Sequence, residues 1–168
     1  PIVAVGARYY REPVCTFTED NEMAAHQVVH ALMERGFTRI GFAGSPLFSA
    51  AFSERYFGFR QSCYRAGISV QTQDEWLDLL PGSDNEETES TVLRHLERQK
   101  ELPEAFFCGN DLLAVTLAKV FRRNGVRVPE DISLVGVDFN QLGQMAEPRL
   151  TTVDIGCSRQ VEAAVERL

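Results

Sequence analysis

Apolar residues in this chain fall into two kinds of segment, short continuous runs and longer stretches in which they recur at helical spacing. The clearest series starts with the run Ala105–Cys108, which is long enough for a buried strand but too short for a helix. Apolar positions at helical spacing follow between residues 113 and 121, and Asn124-Gly125 is a common helix stop. A second apolar run covers residues 132–137. This order predicts two parallel strands joined by a right-handed helical crossover.

The same alternation continues over the rest of the chain. Further strands are predicted at residues 1–5, 14–17, 39–43, 76–80 and 150–153, and further helices at residues 20–35, from about 52 to Gly67, from about 84 to 100, and at 159–168. The segment between Asp138 and Pro148 is predicted to be a loop. Because strands and helices alternate throughout, we expect an α/β fold with a doubly wound parallel sheet that helices cover on both faces.

Local signals add expectations about single residues. Asp20 is expected to cap the first long helix, Gly36 to end it, and Met33 to lie on its buried face. Residues 83–86 have the S-x-x-E form of a capping box at the start of a later helix. The strand at residues 1–5 is continuously apolar and is therefore expected to be buried.

Size and charge narrow the class of protein. The 168 residues suit one domain of ordinary size, and 44% hydrophobic with 24% charged residues is typical of a globular protein. No apolar run approaches the length that spans a membrane, and the start does not have the form of a signal peptide, so we expect a cytoplasmic protein without membrane contact. The net charge of −7 without a basic cluster predicts that this part of the protein does not bind DNA.

The chain shows no signature of an enzyme, a cofactor site or a disulfide framework. Cys15, Cys63, Cys108 and Cys157 are far apart, and Cys63 and Cys108 lie in apolar patterns typical of reduced core thiols. Catalysis with Cys63 or Cys108 as nucleophile is the least favoured function, because neither has a histidine close in sequence. No P-loop, GxSxG or HExxH motif is present. We therefore predict a protein that is not an enzyme and needs no cofactor.

The first long helix carries a candidate metal site. His26 and His30 are four residues apart, with Glu22 and Glu34 in phase, which is a spacing that can hold zinc or nickel. A solvated helix face explains the same pattern without any metal, and we favour that interpretation.

Three polar residues follow predicted strands and are candidates for ligand binding. Arg55 can present a rigid fork of donors, Asp138 can accept hydrogen bonds from two hydroxyls, and Asn110 can donate or accept. Ligands bind at the carboxyl ends of the strands in open parallel sheets, where these residues would meet. The alternatives are a surface salt bridge for Arg55, a turn for Asp138, and a helix cap for Asn110, a role that Asp111 could take instead.

The order of several motifs resembles the effector-binding part of LacI/GalR-type transcription regulators. They are Asp20-Asn21, ERGFTRIGF at residues 34–42, ERYFGF at residues 54–59, GND at residues 109–111, the helix at residues 117–125, VPEDISLVGVD at residues 128–138, and PRLTTV at residues 148–153. The resemblance covers nearly the whole chain. It implies a periplasmic-binding-protein-like fold of type I, which has two lobes and three chain crossings between them.

On that pattern the chain divides into three parts. Residues 1–18 would be the tail of the first lobe, residues 19–153 the second lobe, and residues 154–168 a truncated return to the first lobe. The helix-turn-helix domain of the family is absent, so the chain is expected to be a fragment whose DNA contacts lie elsewhere. The resemblance implies a sensor of a small effector of the sugar type, and a homodimer formed through helices at about residues 84–100 and 112–124. A transport-type sugar-binding protein of the same fold is the alternative.

The resemblance also implies site residues. Arg55, Asp138 and Asn110 occupy positions that match effector contacts of the family, and Ser49, Ala51 and Asp84 match further contact positions. Gly6 stands where the family usually has an aspartate that reaches the ligand. Gly6 and the segments 53–56 and 137–140 are similar to the xylose-regulator branch, in which an AraC-type DNA-binding domain follows the sensor. The ligand pocket is therefore expected to differ from that of most relatives.

Overall fold

Strands and helices alternate along residues 2–7, 13–82 and 85–168, which are the residues described by the computed structural model. The strands are β1 (Val3–Val5), β2 (Cys15–Phe17), β3 (Ile40–Ala43), β4 (Glu75–Trp76), β5 (Ala105–Cys108), β6 (Ser133–Val137) and β7 (Thr151–Val153). The helices are α1 (Asn21–Glu34), α2 (Ala50–Arg65), α3 (Asn85–Arg98), α4 (Asp111–Arg123), α5 (Gln141–Met145) and α6 (Cys157–Arg167). A short 3-10 turn at Thr72–Asp74 precedes β4.

Five strands form one parallel sheet in the order β4-β3-β5-β6-β7. The register places Phe42 of β3 beside Phe107 of β5, which in turn lies beside Val135 of β6. The chain crosses from β3 over α2 to one side and from β5 over α4 to the other, which confirms the predicted doubly wound α/β fold. β1 and β2 form a separate parallel pair, against which α6 packs.

Alternate residues of the central strand β5 fill two cores. Phe107 belongs to the core beneath α1 and α2, where its ring lies 5.4 Å from that of Phe42. Phe106 faces the other core, beneath α3 and α4, where its ring lies 4.6 Å from that of Trp76. On its other side Trp76 stacks on His95 at 4.6 Å, with 9° between the ring planes. A strand buried on both faces has to be apolar at every position, which explains the run Ala105–Cys108.

The ends of α1 agree with the sequence signals. The Asp20 carboxylate accepts a hydrogen bond from the Met23 backbone N–H at 2.9 Å, and Gly36 follows the helix with a φ of 86°. The prediction for Met33 is wrong, because this side chain is 38% exposed. Among the described residues, no helix combines the length and the apolar character needed to cross a lipid bilayer.

Three predictions about elements need correction. The strand at the chain start is not buried, since Ile2 is 77% exposed; β2 and α6 lie against β1. The strand predicted at residues 76–80 is limited to Glu75–Trp76, because its partner β3 ends at Ala43, opposite Trp76. The predicted loop after Asp138 contains the short helix α5. The capping role predicted at Ser83 lies outside the described residues.

Candidate functional site

Arg55 and Asp138 meet at the carboxyl edge of the sheet, as their positions after β3 and β6 predict. Arg55 lies in the second turn of α2, and its Nη2 is 3.3 Å from Oδ1 of Asp138. Its Nη1 donates a hydrogen bond of 2.7 Å to the carbonyl oxygen of Gly109, the residue that follows β5. One guanidinium therefore joins the ends of two neighbouring strands.

The guanidinium of Arg55 is buried, so a surface salt bridge does not describe it. Its Nε donates to Oδ1 of Asn21 at 2.8 Å, and its Nη2 is 4.0 Å from a carboxylate oxygen of Glu19. The residue is 3% exposed, and the ring of Phe52 lies 6.0 Å from its central carbon. Protein groups surround Arg55 on most sides, so its guanidinium does not face an open cleft. A buried cation is retained only when its donors are satisfied, as they are here.

Gly109 allows this contact because Phe52 lies against it. A Cβ atom at Gly109 would stand 2.1 Å from Cε1 of Phe52, which is a severe overlap. The glycine of the GND motif therefore lets the ring and the Gly109 carbonyl share the space beside Arg55.

Asn110 serves as the N-cap of α4. Its side-chain oxygen accepts a hydrogen bond of 2.9 Å from the backbone N–H of Leu113. The structure thus bears out the capping interpretation for Asn110 and excludes Asp111 as the cap. Ligand contact by Asn110 stays a prediction, and its half-buried side chain lies one residue beyond the Gly109 carbonyl that Arg55 contacts.

Asp138 is partly exposed, has an unusual φ angle and has a raised side-chain pKa. Its side chain is 29% exposed, and its φ of 118° is rare for a residue other than glycine. Burial raises the pKa of Asp138 to about 6; the charge of Asp111 adds to this rise and Arg55 opposes it. A carboxylate with a raised pKa, held next to a cation at a strand end, is typical of a functional site.

The other predicted contact residues are placed as follows. Ser49 is the exposed N-cap of α2, and its hydroxyl accepts a hydrogen bond of 3.3 Å from the Phe52 backbone N–H. Ala51 is half-buried in the first turn of that helix. Asp84 lies outside the described residues. Gly6 is exposed with a φ of 73° and brings no side chain to the site.

Sequence reasoning missed the residues that hold this site together. Asn21, 3% exposed, accepts from Arg55 and donates to Glu54 at 2.8 Å. Glu19 approaches Arg55 from the segment before α1. The Asp20-Asn21 pair could have indicated Asn21. Asp20 alone suffices as the helix cap, so a second polar residue beside it has no local role and suggests a contact elsewhere in the fold.

The buried thiols and the histidines of α1 lie in the following surroundings. Burial raises the pKa of the Cys63 thiol to about 12 and raises that of Cys108 as well, so neither is a thiolate at neutral pH. Over the described parts of the chain, no group of three or more metal-ligating side chains is brought together. His26 instead lies 3.4 Å from the Ser62 hydroxyl, and His30 pairs with Glu34 at 3.6 Å.

A cavity of about 890 Å³ lies away from this site, beside β7 between α1 and α4. Val28, Leu32, Val115, Ala118 and Val135 are among its lining residues, and Arg55, Asn110 and Asp138 are not. The cavity lies along the outer strand β7, so its lining residues do not take part in the site at the carboxyl ends of the strands.

Comparison with known proteins places the chain among bacterial regulators. The model of the family described as "Periplasmic binding protein-like domain" matches residues 29–168. The Escherichia coli K12 protein "HTH-type transcriptional repressor CytR" is 34% identical over 134 residues, which are 80% of this chain and 38% of that protein. The protein "HTH-type transcriptional repressor PurR" of Photobacterium profundum is 30% identical over 157 residues, 93% of this chain and 46% of its own.

Solved structures agree with the sequence relatives. The structure of a "putative transcriptional regulator of LacI family" from Sanguibacter keddieii superposes with a TM-score of 0.83 at 28% identity, over 99% of this chain and 61% of that one. The predicted resemblance to LacI-type regulators and the predicted periplasmic-binding-protein-like fold are thereby confirmed. This chain spans less than half the length of the two curated relatives.

Proposed function

Because this chain belongs to the periplasmic binding protein-like domain family, we propose that it is the effector-sensing part of a bacterial transcription regulator. The relatives named above support this, since two are called transcriptional repressors and the solved structure is called a regulator. DNA binding would belong to a separate helix-turn-helix domain, because the net charge of −7 disfavours contact with a phosphate backbone. A protein with this task works in the cytoplasm and needs neither a cofactor nor catalysis.

The ligand we propose is a small polar molecule of the sugar type. The observation that carries this proposal is the partly exposed Asp138 carboxylate, which Arg55 holds at the end of β6. A carboxylate in that position accepts hydrogen bonds from neighbouring hydroxyls, with Asn110 as a further donor or acceptor. Ser49, Ala51 and Asp84 are proposed to line the same pocket.

Signal transmission would use the division of the chain into two lobes. We assign residues 1–18 and 154–168 to the first lobe and residues 19–153 to the second. β1, β2 and α6 form a small unit of their own, which supports this division. A ligand that contacts both lobes favours one lobe arrangement and so changes the spacing of attached DNA-binding domains. A homodimer through the exposed faces of α3 and α4 would provide the symmetry that such spacing requires.

The test is calorimetry on the full-length protein with D-xylose, D-ribose, D-glucose and D-glucose 6-phosphate. We expect Asp138→Asn to weaken binding of the sugar that binds wild type by roughly tenfold or more, because a charge-assisted hydrogen bond is lost. Asp131→Asn is the matched control, since Asp131 is exposed before the opposite end of β6 and pairs with Arg127. It should leave the affinity unchanged.

Two outcomes would contradict the proposal. Equal affinities of wild type and Asp138→Asn would show that the carboxylate does not contact the ligand. A wild type that binds none of the four compounds would show that none of these sugars is the effector. The transport-type alternative is decided separately. A full-length protein that binds these sugars but shows no salt-dependent DNA binding would favour a transport-type binding protein.

A further inference from the structure

We propose that Asp111 is the positioning residue of the ligand site: its buried carboxylate holds the segment Asp138–Asn140 in the conformation that places Asp138 beside Arg55. This inference rests on the proposed function only in taking Asp138 as a ligand residue. The contacts of Asp111 stand independently of any ligand.

The carboxylate of Asp111 bridges two segments that are distant in sequence. Asp111 is the first residue of α4 and is fully buried. Its Oδ2 accepts a hydrogen bond of 2.9 Å from the backbone N–H of Asn140, and its Oδ1 accepts one of 2.5 Å from the hydroxyl of Thr152 on β7. The same Thr152 hydroxyl accepts a bond of 3.3 Å from the backbone N–H of Phe139. The backbone N–H groups of the two residues after Asp138 are therefore hydrogen-bonded to the side chains of Thr152 and Asp111, which also contact each other.

The attached segment has a backbone that needs support. Asp138 has a φ of 118° and Phe139 a φ of 55°, two consecutive positive values without glycine. Such backbone conformations are unfavourable in residues other than glycine and persist only where the surrounding contacts determine them. The Asp111 bond at Asn140 comes directly after the strained pair. Asn140 in turn caps α5 by accepting from the Gly143 N–H at 3.1 Å, so the segment is fixed on its far side as well.

Two glycines from other segments make room for this carboxylate. A Cβ atom at Gly136 of β6 would stand 2.2 Å from Oδ1 of Asp111, and one at Gly143 of α5 would stand 3.0 Å from Oδ2. The first distance excludes any larger residue at Gly136 unless Asp111 moves. The strand that leads to Asp138 is therefore shaped around Asp111.

The local role of Asp111 does not explain its burial. Asn110 already caps α4, so α4 does not need the carboxylate for that purpose. Burial raises the pKa of Asp111, and the hydrogen bonds from Thr152 and Asn140 oppose that rise. A buried carboxylate is costly, and the bonds that compensate it here run to the Asp138 segment and to β7. Its contacts thus favour positioning of the site over helix capping.

The experiment compares three variants of the full-length protein by hydrogen–deuterium exchange and by sugar affinity. Asp111→Asn keeps the size but removes the charge, and Thr152→Val removes the hydroxyl while the charge of Asp111 remains. Asp74→Asn is the matched control, because Asp74 is also fully buried but pairs with Arg39 on the opposite edge of the sheet. Exchange is measured in a peptide covering residues 138–146 and in one covering β3. The exchange ratio is the rate in the first peptide divided by the rate in the second.

We expect Asp111→Asn to accelerate exchange in residues 138–146 by roughly tenfold relative to β3, with a smaller acceleration in Thr152→Val. Affinity for any sugar that binds wild type should fall roughly tenfold in Asp111→Asn. The pH at which affinity is lost on acidification should move below about 6 in both variants, because Asp138 becomes less buried. Asp74→Asn, which acts beside β3, should not accelerate exchange in residues 138–146 and should leave that pH unchanged.

Two results would overturn the proposal. An unchanged exchange ratio in Asp111→Asn shows that the segment does not depend on Asp111. Faster exchange with unchanged affinity, where Asp138→Asn weakens binding, shows that Asp111 holds the segment without positioning the ligand residue. If none of the sugars binds wild type, the sugar proposal fails by itself, and the exchange ratio alone decides the role of Asp111.

Discussion

Two arginine–aspartate pairs lie at opposite edges of the same sheet and differ in almost every respect. At the amino edge, Arg39 donates to both carboxylate oxygens of Asp74 at 2.8 Å. At the carboxyl edge, Arg55 approaches Asp138 through Nη2 at 3.3 Å, while its Nε and Nη1 donate to other groups. The side chain of Asp74 is 1% exposed and that of Asp138 is 29% exposed.

The difference distinguishes a structural pair from the pair that we propose binds the ligand. Arg39 and Asp74 form the planar bidentate arrangement that satisfies both partners, and Gln99 adds a hydrogen bond to Asp74 at 3.1 Å. Asp138 has a strained backbone, a raised pKa and access to solvent. A carboxylate that is incompletely paired retains capacity for another donor. The presence of an ion pair is therefore less informative about function than its incompleteness.

The largest expected effect comes from breaking the complete pair. Asp74→Ala leaves Arg39 without its main partner and should lower the free energy of unfolding by about 3–5 kcal/mol. Chemical denaturation measures this loss. Sugar affinity at a temperature where the variant is folded should equal that of wild type, and a lost affinity would show that the two edges are coupled.

Arg55→Lys should have the next largest effect. A lysine keeps the charge but has one nitrogen in place of the fork, so it cannot contact Asn21, Gly109 and Asp138 together. We expect a loss of about 1.5–3 kcal/mol in the free energy of unfolding, measured by denaturant titration. Full retention of stability would mean that the contacts of Arg55 with the strand ends contribute little.

A smaller effect is expected from pH, and it concerns Asp138. The pKa of Asp138 is about 6 in the folded protein and about 3.9 in the unfolded chain, so the folded state binds more protons between these values. The free energy of unfolding of wild type should therefore decrease relative to Asp138→Asn as pH rises from about 4 to about 6. The difference should reach about 1–2 kcal/mol. Parallel pH curves for the two proteins would contradict the raised pKa.

The smallest effect is expected at an exposed pair. Arg127 and Asp131 form an i,i+4 ion pair with side chains 69% and 36% exposed, and this pair holds the pKa of Asp131 at about 2. Arg127→Ala should leave the melting temperature unchanged within error, because solvent screens the pair. A loss comparable to that of Asp74→Ala would mean that burial is not what distinguishes the pairs.

Sequence patterns predicted the buried elements well. Ala105–Cys108 was predicted with its observed bounds, because a strand buried on both faces is apolar throughout. The helix stop at Asn124-Gly125 was also located correctly. The short helix α5 escaped detection, since its apolar side chains Leu142 and Met145 are 55% and 80% exposed and form no buried apolar pattern. Periodicity finds elements through burial and misses those that lie on the surface.

The candidate site was predicted only in part, for a similar reason. The meeting of Arg55 and Asp138 followed from their positions after parallel strands. The role of Asp111 did not, because its partners Asn140 and Thr152 lie 29 and 41 residues away in sequence. At residues 110 and 111 the local pattern offered two possible caps, and only the fold shows that one of them supports a distant segment.

The position of Trp76 has a practical consequence. It is the only tryptophan of the chain, it is fully buried, and its ring stacks on His95 within the core beneath α3 and α4. Excitation at the red edge of protein absorbance therefore reports on a single indole whose surroundings change when that core opens. Its emission should shift to longer wavelength on unfolding and stay constant when a ligand occupies the carboxyl edge. One fluorescence signal can thus follow the integrity of the fold while other methods follow binding.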